Sequence, residues 1–577
     1  MNKNEPKSMQ SQKPISYVFT RTRRSSCGGS TSATAPSRRS LSRLSWVSGR
    51  RAGRGRSGFV AGALVALLAI TGCSGRPSYD LIIRGGRVLD GSGNPWYYAD
   101  IGVRGDRIAA VGDLSTARAA RIVDAGGLYV APGFVDVHTH VGSGLDTPDR
   151  SAGQPLLAQG ITTVLVNPDG GGPVDLAQQR RDLLEDGLGV NVGMQIGHNV
   201  IRSRVIGSED RDPTPAELDS MKLLVRAGME EGAFGLSSAP FYSPGSFSKT
   251  EEIVALAAVA AEFGGTHQSH VRDESDYTIG LLDAVEEVIT VSRETGVRGI
   301  VTHIKALGPH VWGYSEAVVE RIKAARAEGL EIFADQYPYE ASSTGLSAAL
   351  LPRWAQAGGP RALRARLDDP EIMARIRSAM VKNLDRRGGA GRIQFRRFEP
   401  DSTIEGRTLQ MVADDMGLRA VDAAVALFKK GSPSIVSFNM NEDDIRTFMR
   451  QTWTMTASDG SLPRMNVGVP HPRAYGTFPR KIRKYAVEEG VIDLPFAIRS
   501  MTSLPVTVFR IPDRGSIRPG AFADLVVFDL NRLRDTAIYS APHQLAEGMV
   551  HVLVNGRFAI RDGAFTGDLA GRVLSRR

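Results

Sequence analysis

Cysteine is almost absent: the 577-residue chain holds two, Cys27 and Cys73, and both fall within its first 73 residues. Beyond that point no disulfide can form, no thiolate can ligate a metal and no cysteine can act as a nucleophile. Long apolar runs are equally scarce. The strongest, residues 59–72 (FVAGALVALLAITG), is 14 residues, short of the roughly 20 that a membrane-spanning helix needs. Acidic residues are missing from the same stretch. Residues 1–73 hold 13 Lys/Arg and the single acid Glu5, so the rest carries 58 bases against 61 acids, a net −3. The overall +9 belongs to this leader, and the body lacks the basic excess that nucleic acid would require.

Within the leader, residues 1–46 are Ser/Arg-rich and have the composition of a disordered segment. Arg50-Arg51 and the basic residues after it precede the apolar run, which is the order of a signal peptide. The run ends in Ile70-Thr71-Gly72-Cys73, which resembles a bacterial lipobox and makes Cys73 the candidate lipidated first residue. The expectation is an exported bacterial protein, a lipoprotein held in the cell envelope on the periplasmic side. An ordinary cleaved signal, and a start as late as Val47, are the other readings. Contact with membrane is expected only through the anchor or signal peptide.

In the body, β-branched apolar runs alternate with segments of helical length. Strand candidates are Phe134–His138, Thr162–Val166, Asn191–Gly197, Ala233–Ser237, Thr266–His270, Gly299–His303, Glu331–Ala334 and Trp453–Ala457. Helix candidates between them include Pro215–Met229, with Thr214 as N-cap, Glu251–Glu262, Ile279–Glu294 and Tyr314–Ala327. Eight strands with crossover helices predict an α/β fold, a (β/α)8 TIM-like barrel over residues 131–504. The end pieces, 78–130 and 505–577, read as short strands between Gly/Asp/Asn turns and are expected to form one small β-sandwich. Residues 346–450, far longer than one crossover helix, are expected to be an inserted subdomain.

His138 and His140 close the first strand candidate. Two residues apart on a strand, their side chains share a face and can chelate a divalent metal at the mouth of the barrel. His270, His303 and Asp459 end or follow three further strand candidates. All lie where barrel strands present chemistry, so the set is read as a metal site.

These residues sit in segments with a common likeness. GGRVLDGSGNPWYYADIGVRGDRIAAVG, APGFVDVHTH, AQGITTV, HVRDE (270–274), ADQYPYEASST (334–344), PHPRAYGTFPR (470–480) and GSIRPGAFADLVVFD (515–529) resemble the N-acyl-D-amino-acid deacylase (D-aminoacylase) branch of the amidohydrolase superfamily. The resemblance runs from about Tyr79 to Arg557. It implies a barrel with a β-sandwich, one or two Zn2+ per chain, and a small N-acyl amino acid or related amide as substrate. Carried over, His138 and His140 bind one metal position and His270 and His303 the other, with Asp459 as catalytic acid/base. The family's cysteine ligand falls at Asp169, a carboxylate still acceptable to Zn2+, although Pro168-Asp169-Gly170 also reads as a turn. Arg473 is expected to bind the substrate α-carboxylate, with Lys305, Tyr242 and Tyr337 beside it.

The expected chemistry is hydrolysis of an amide that is D-configured or not a peptide bond. A metal acidifies a water and polarises the carbonyl, while Asp459 takes the water's proton and returns it to the leaving nitrogen. Departures at 197–202 and 238–242, and the lost cysteine, bear on the substrate and leave the reaction class alone. A cyclic-amide hydrolase, a dipeptidase and a non-catalytic binding lipoprotein remain as alternatives. The oligomeric state is not legible.

Overall fold

A computed structural model describes residues 78–576; Cys73, and the signal and lipobox readings that rest on it, lie outside the described residues. Each β-branched run forms its strand: Phe134–Asp136, Ile161–Val166, Asn191–Met194 continued by Ile196–Gly197, Gly235–Ser238, Thr266–Ser269, Arg298–Val301, Ile332–Gln336 and Thr454–Thr456. Every neighbouring pair recorded among them is parallel. The ring closes just beyond the strands. Asp459 N donates to His138 O at 2.9 Å, and His140 N donates to Gly460 O at 2.7 Å. The first and eighth strands therefore meet at the residues singled out for chemistry.

Helices fill the crossovers as expected, with ends fixed by local chemistry. Pro215–Glu230 begins in a capping box, Thr214 Oγ1 accepting from Glu217 N while the Glu217 carboxylate accepts from Thr214 N. Leu281–Thr295 stops at Gly296, whose φ of 70° suits a residue without Cβ. Beneath the barrel, Leu504, Val508, Phe509 and Ile511 pack against Val135, Leu165, Phe234 and Met455. A domain edge drawn at 505 thus falls inside helix Ser503–Phe509, which packs on the barrel.

Both ends of the described chain share one nine-stranded sheet. Tyr129–Pro132 pairs with Leu525–Phe528 antiparallel, Pro132 opposite Leu525, and so joins the N-terminal strands to the C-terminal ones. One core, including Ile83, Ile101, Val103, Val130, Leu525 and Leu553, lies within it.

Between the seventh and eighth barrel strands, Ser342–Gly345, Ser434–Ser437 and Ile393–Arg397 make a separate antiparallel sheet. Helices including Pro370–Arg386 and Ala420–Lys430 cover it around a core of its own running from Leu346 to Ile435. Helix Glu442–Met449 packs on Ser315–Ala327 instead, so the last part of 346–450 belongs to the barrel's helical layer.

Candidate metal centre

The second strand ends in Val166, and Asn167-Pro168-Asp169-Gly170 turns over the barrel mouth. Asn167 and Asp169 adopt left-handed φ values of 64° and 55°, costly for residues with a Cβ. The turn is pinned: Ser237 Oγ donates to Asn167 O at 2.7 Å, and Gly170 N donates to Ser237 Oγ at 3.1 Å. Gly197 lets it approach, since a Cβ there would meet Gly171 O at 2.3 Å. The result is a carboxylate held among four histidines.

Asp169 Oδ1 lies 3.5 Å from His138 Nε2 and 3.7 Å from both His270 Nδ1 and His303 Nε2. Its Oδ2 is 3.5 Å from His140 Nε2. Asp459 Oδ1 completes one side, 3.1 Å from His140 Nε2 and 3.7 Å from His138 Nε2. Two ligand groups result, His138/His140/Asp169/Asp459 and Asp169/His270/His303, and Asp169 is common to both. Asp459 and His303 also carry left-handed φ values, 48° and 34°, so strain gathers at this centre.

A divalent metal fits what is there. His138 Nδ1 and Nε2, Asp169 Oδ1 and His270 Nε2 are buried with no hydrogen-bond partner, a costly state for polar atoms that a metal would relieve. Imidazole nitrogen and carboxylate oxygen are donors that a borderline cation accepts. The local potential is negative: burial and Lys305 push the His303 imidazole down, yet Glu274 and Asp169 raise it to about 10. Burial favours a neutral Asp169, but the imidazoles around it hold its carboxyl well below the ordinary range.

Of the expected metal, catalytic and substrate-binding residues, all but His138 line one cavity of about 650 Å3; His138 lies behind them, fully buried and 3.5 Å from Asp169 Oδ1. Arg473 Nη1 is 2.8 Å from Asp459 Oδ2 and its guanidinium lies 4.6 Å over the Tyr337 ring. Burial would raise the Asp459 carboxyl; the charge on Arg473 and the hydrogen bond from His140 outweigh it and keep it ionised. Lys305 Nζ reaches Glu274 Oε1 at 2.5 Å and His303 Nδ1 at 2.6 Å. The Tyr242 hydroxyl meets Thr344 Oγ1 at 3.0 Å, and its ring lies 4.7 Å from that of His270.

Several contributors went unassigned from sequence. Glu274 stands 3.1 Å from His303 Nδ1 and 3.8 Å from His270 Nε2, behind both. Asp335 Oδ1 accepts from His303 N at 2.7 Å and lies 3.9 Å from His138 Nδ1. Asp136, pushed up to about 7 by burial, accepts from Ser458 N at 3.0 Å and so fixes the Asp459 turn. Such groups orient ligands. All three lie in segments that carry the family likeness, Asp136 in APGFVDVHTH, Glu274 in HVRDE and Asp335 in ADQYPYEASST, and that is the signal that could have found them.

A closed parallel barrel with histidines and carboxylates converging at its C-terminal mouth defines a metal-dependent hydrolase class. The chain belongs to the amidohydrolase family, whose model matches residues 121–560; it is an enzyme acting on carbon–nitrogen bonds other than peptide bonds. It is 35% identical to the D-aminoacylase of Alcaligenes xylosoxydans xylosoxydans over 521 residues, 86% of this chain and 98% of that one. A D-aminoacylase structure described through the role of its binuclear metal centre superposes with a TM-score of 0.74 and 31% identity, covering 86% of this chain and all of that one. The N-acyl-D-glutamate deacylase of Bordetella bronchiseptica, solved with zinc and a phosphonate mimic of the tetrahedral intermediate, gives 0.74 and 32% over the same shares.

Proposed function

We propose that the chain hydrolyses N-acyl-D-amino acids to a D-amino acid and a carboxylate, with zinc as its metal. The observation that carries the reading is Asp459. It stands between the ligand cluster and Arg473, 3.1 Å from His140 and 2.8 Å from the guanidinium. His138, His140, His270 and His303 would hold the metal, with Asp169 serving both positions. Bound there, zinc supplies Lewis-acid polarisation of the acyl carbonyl and acidification of a water.

The chain's own groups do the rest. Asp459 Oδ1, kept ionised, accepts the proton of the attacking water as general base and delivers it to the leaving nitrogen as general acid. Arg473 offers the substrate α-carboxylate a two-pronged donor, its plane set by the Tyr337 ring below it. Lys305 and the Tyr242 hydroxyl stand ready as further donors, and Glu274 holds the Lys305 ammonium in place.

Zinc-loaded protein assayed on N-acetyl-D-amino acids, their L-enantiomers, D-dipeptides and hydantoins tests this. Turnover of the acyl-D-amino acids supports the reading; turnover of the rings alone rejects it. We further propose export and lipidation at Cys73, because the leader has the order of a bacterial lipoprotein signal. Radioactive palmitate should label the full chain expressed in a bacterial host and fail to label C73A; equal labelling of both would reject the anchor.

A further inference from the structure

The sequence departs from the branch it resembles at 197–202 and at 238–242, and the fold brings these two segments together. Gly197 ends the third barrel strand, and the chain continues as helix His198–Val205. Asn199, in the first turn of that helix, is 8% exposed and lines the cavity. Ala239 follows the fourth strand, Gly235–Ser238, and opens the loop that carries Tyr242.

The Asn199 amide grips this loop. Its Nδ2 donates to Ala239 O at 3.0 Å and its Oδ1 accepts from Ala239 N at 3.2 Å, so one side chain pairs with both backbone groups of one residue. Nδ2 also donates to Tyr242 O at 3.4 Å, and His198 Nδ1 lies 3.2 Å from Oδ1. A carboxamide has two N–H donors and two acceptor lone pairs, and all four are engaged here. None is left for a substrate.

Behind the amide, charge holds its orientation. His198 Nε2 is 2.7 Å from Glu252 Oε1, and the other oxygen of Glu252 pairs with Arg202. All three are buried and none lines the cavity. A buried polar network with its members paired fixes one geometry.

The grip spans two working loops. On one side the amide abuts the Asp169 turn: a Cβ on Gly170 would meet Asn199 Oδ1 at 2.4 Å, and Val200 N donates to Gly170 O at 3.1 Å. On the other, a Cβ on Gly245 would meet the same oxygen at 2.5 Å. The Asp169 turn has further ties to Ser237 Oγ. The Tyr242 loop has no such second tie among the described residues. Its remaining backbone hydrogen bonds close within 239–248, as Tyr242 N to Ala239 O at 3.1 Å and Ser246 N to Tyr242 O at 2.8 Å.

We infer that Asn199 is a positioning residue, setting the Tyr242 loop against the Asp169 turn and so fixing where substrate is anchored relative to the metal. The inference rests on the amide-hydrolase reading above, in which Tyr242 is a substrate donor. Zinc-loaded N199A, Y242F and the double variant are compared with wild type on N-acetyl-D-methionine. Each single change should raise KM by about tenfold, with kcat within about threefold and bound zinc unchanged. N199D, which keeps the shape but removes both donors, should match N199A. The double variant should fall within about twofold of the weaker single one, since groups that act through one another do not add.

A merely structural role predicts the opposite: zinc lost, KM unchanged and the two losses multiplied. Any of these, or failure of both N199A and N199D to fold, would overturn the inference. If no acyl amino acid is hydrolysed, the reading of the substrate fails on its own, and crystal structures of wild type and N199A decide the positioning. A Tyr242 hydroxyl displaced from Thr344 with Asp169 in place supports it; a Tyr242 hydroxyl still on Thr344 overturns it.

Discussion

Asp459 lies in one of the two ligand groups and Asp169 in both, Asp169 at the position where the family resemblance implies a sulfur ligand. Asp459 is bound by charge on both sides, so its ionised state is a property of its neighbours. D459N removes the proton acceptor while keeping shape, and kcat should fall by about 10²–10⁴-fold with metal content unchanged, as measured by elemental analysis beside steady-state kinetics. Asp169 touches both ligand groups, so its loss should be felt at both. D169A should lower bound metal per chain, whereas D169C, which restores a soft ligand, should retain it. Equal metal in wild type and D169A would remove Asp169 from the centre.

Elements carry these residues to their places, and the sequence discloses elements unevenly. Barrel strands such as Ile161–Val166 and Arg298–Val301 were legible as β-branched runs, whereas the short, polar Gly235–Ser238 and Thr266–Ser269 were legible through their regular alternation with helical segments. Strand-end placement also marked the four histidines and Asp459, whereas Asp169 was reached only through the family resemblance. The strands of the insert were not: SSTG at 342–345 and SIVS at 434–437 are short, polar segments that no strand–helix alternation frames, and they pair only within the insert's own sheet. Asp136, Glu274 and Asp335 lie in the segments that carry the family likeness, but their part was not legible, since only closure of the barrel brings them behind the histidines. Helix Pro215–Glu230 was legible down to its cap, and its stability should follow. T214A should cost about 1 kcal/mol in the helix it caps, read by amide exchange across the helix. Glu217, bound by Arg211 and Thr214, is lowered to about 2 from an ordinary 4.5. A depressed carboxyl contributes stability above its unfolded value and loses it as pH falls through the folded one. The deficit of E217Q in that exchange should therefore be full at neutral pH and shrink as pH falls from 4.5 toward 2.

At the scale of the molecule, three parts meet at one cavity: barrel strands supply the ligands, the eighth-strand turn supplies Asp459, and the insert supplies Arg387 and Arg396. The sheet built from both ends of the described residues supplies none of the ligand groups and joins the segments that enter and leave the barrel. A body with no cysteine beyond Cys73 keeps its metal centre on nitrogen and oxygen alone, free of thiol oxidation. That suits the export proposed for it. The most direct test of the account is hydrolysis of N-acetyl-D-amino acids by protein stripped of metal with a chelator and then reloaded with Zn2+. The account predicts loss of turnover on stripping and its return on reloading, with the D-enantiomers preferred. Undiminished turnover by the metal-free protein, or none by the zinc-loaded one on any acyl-D-amino acid, would contradict it.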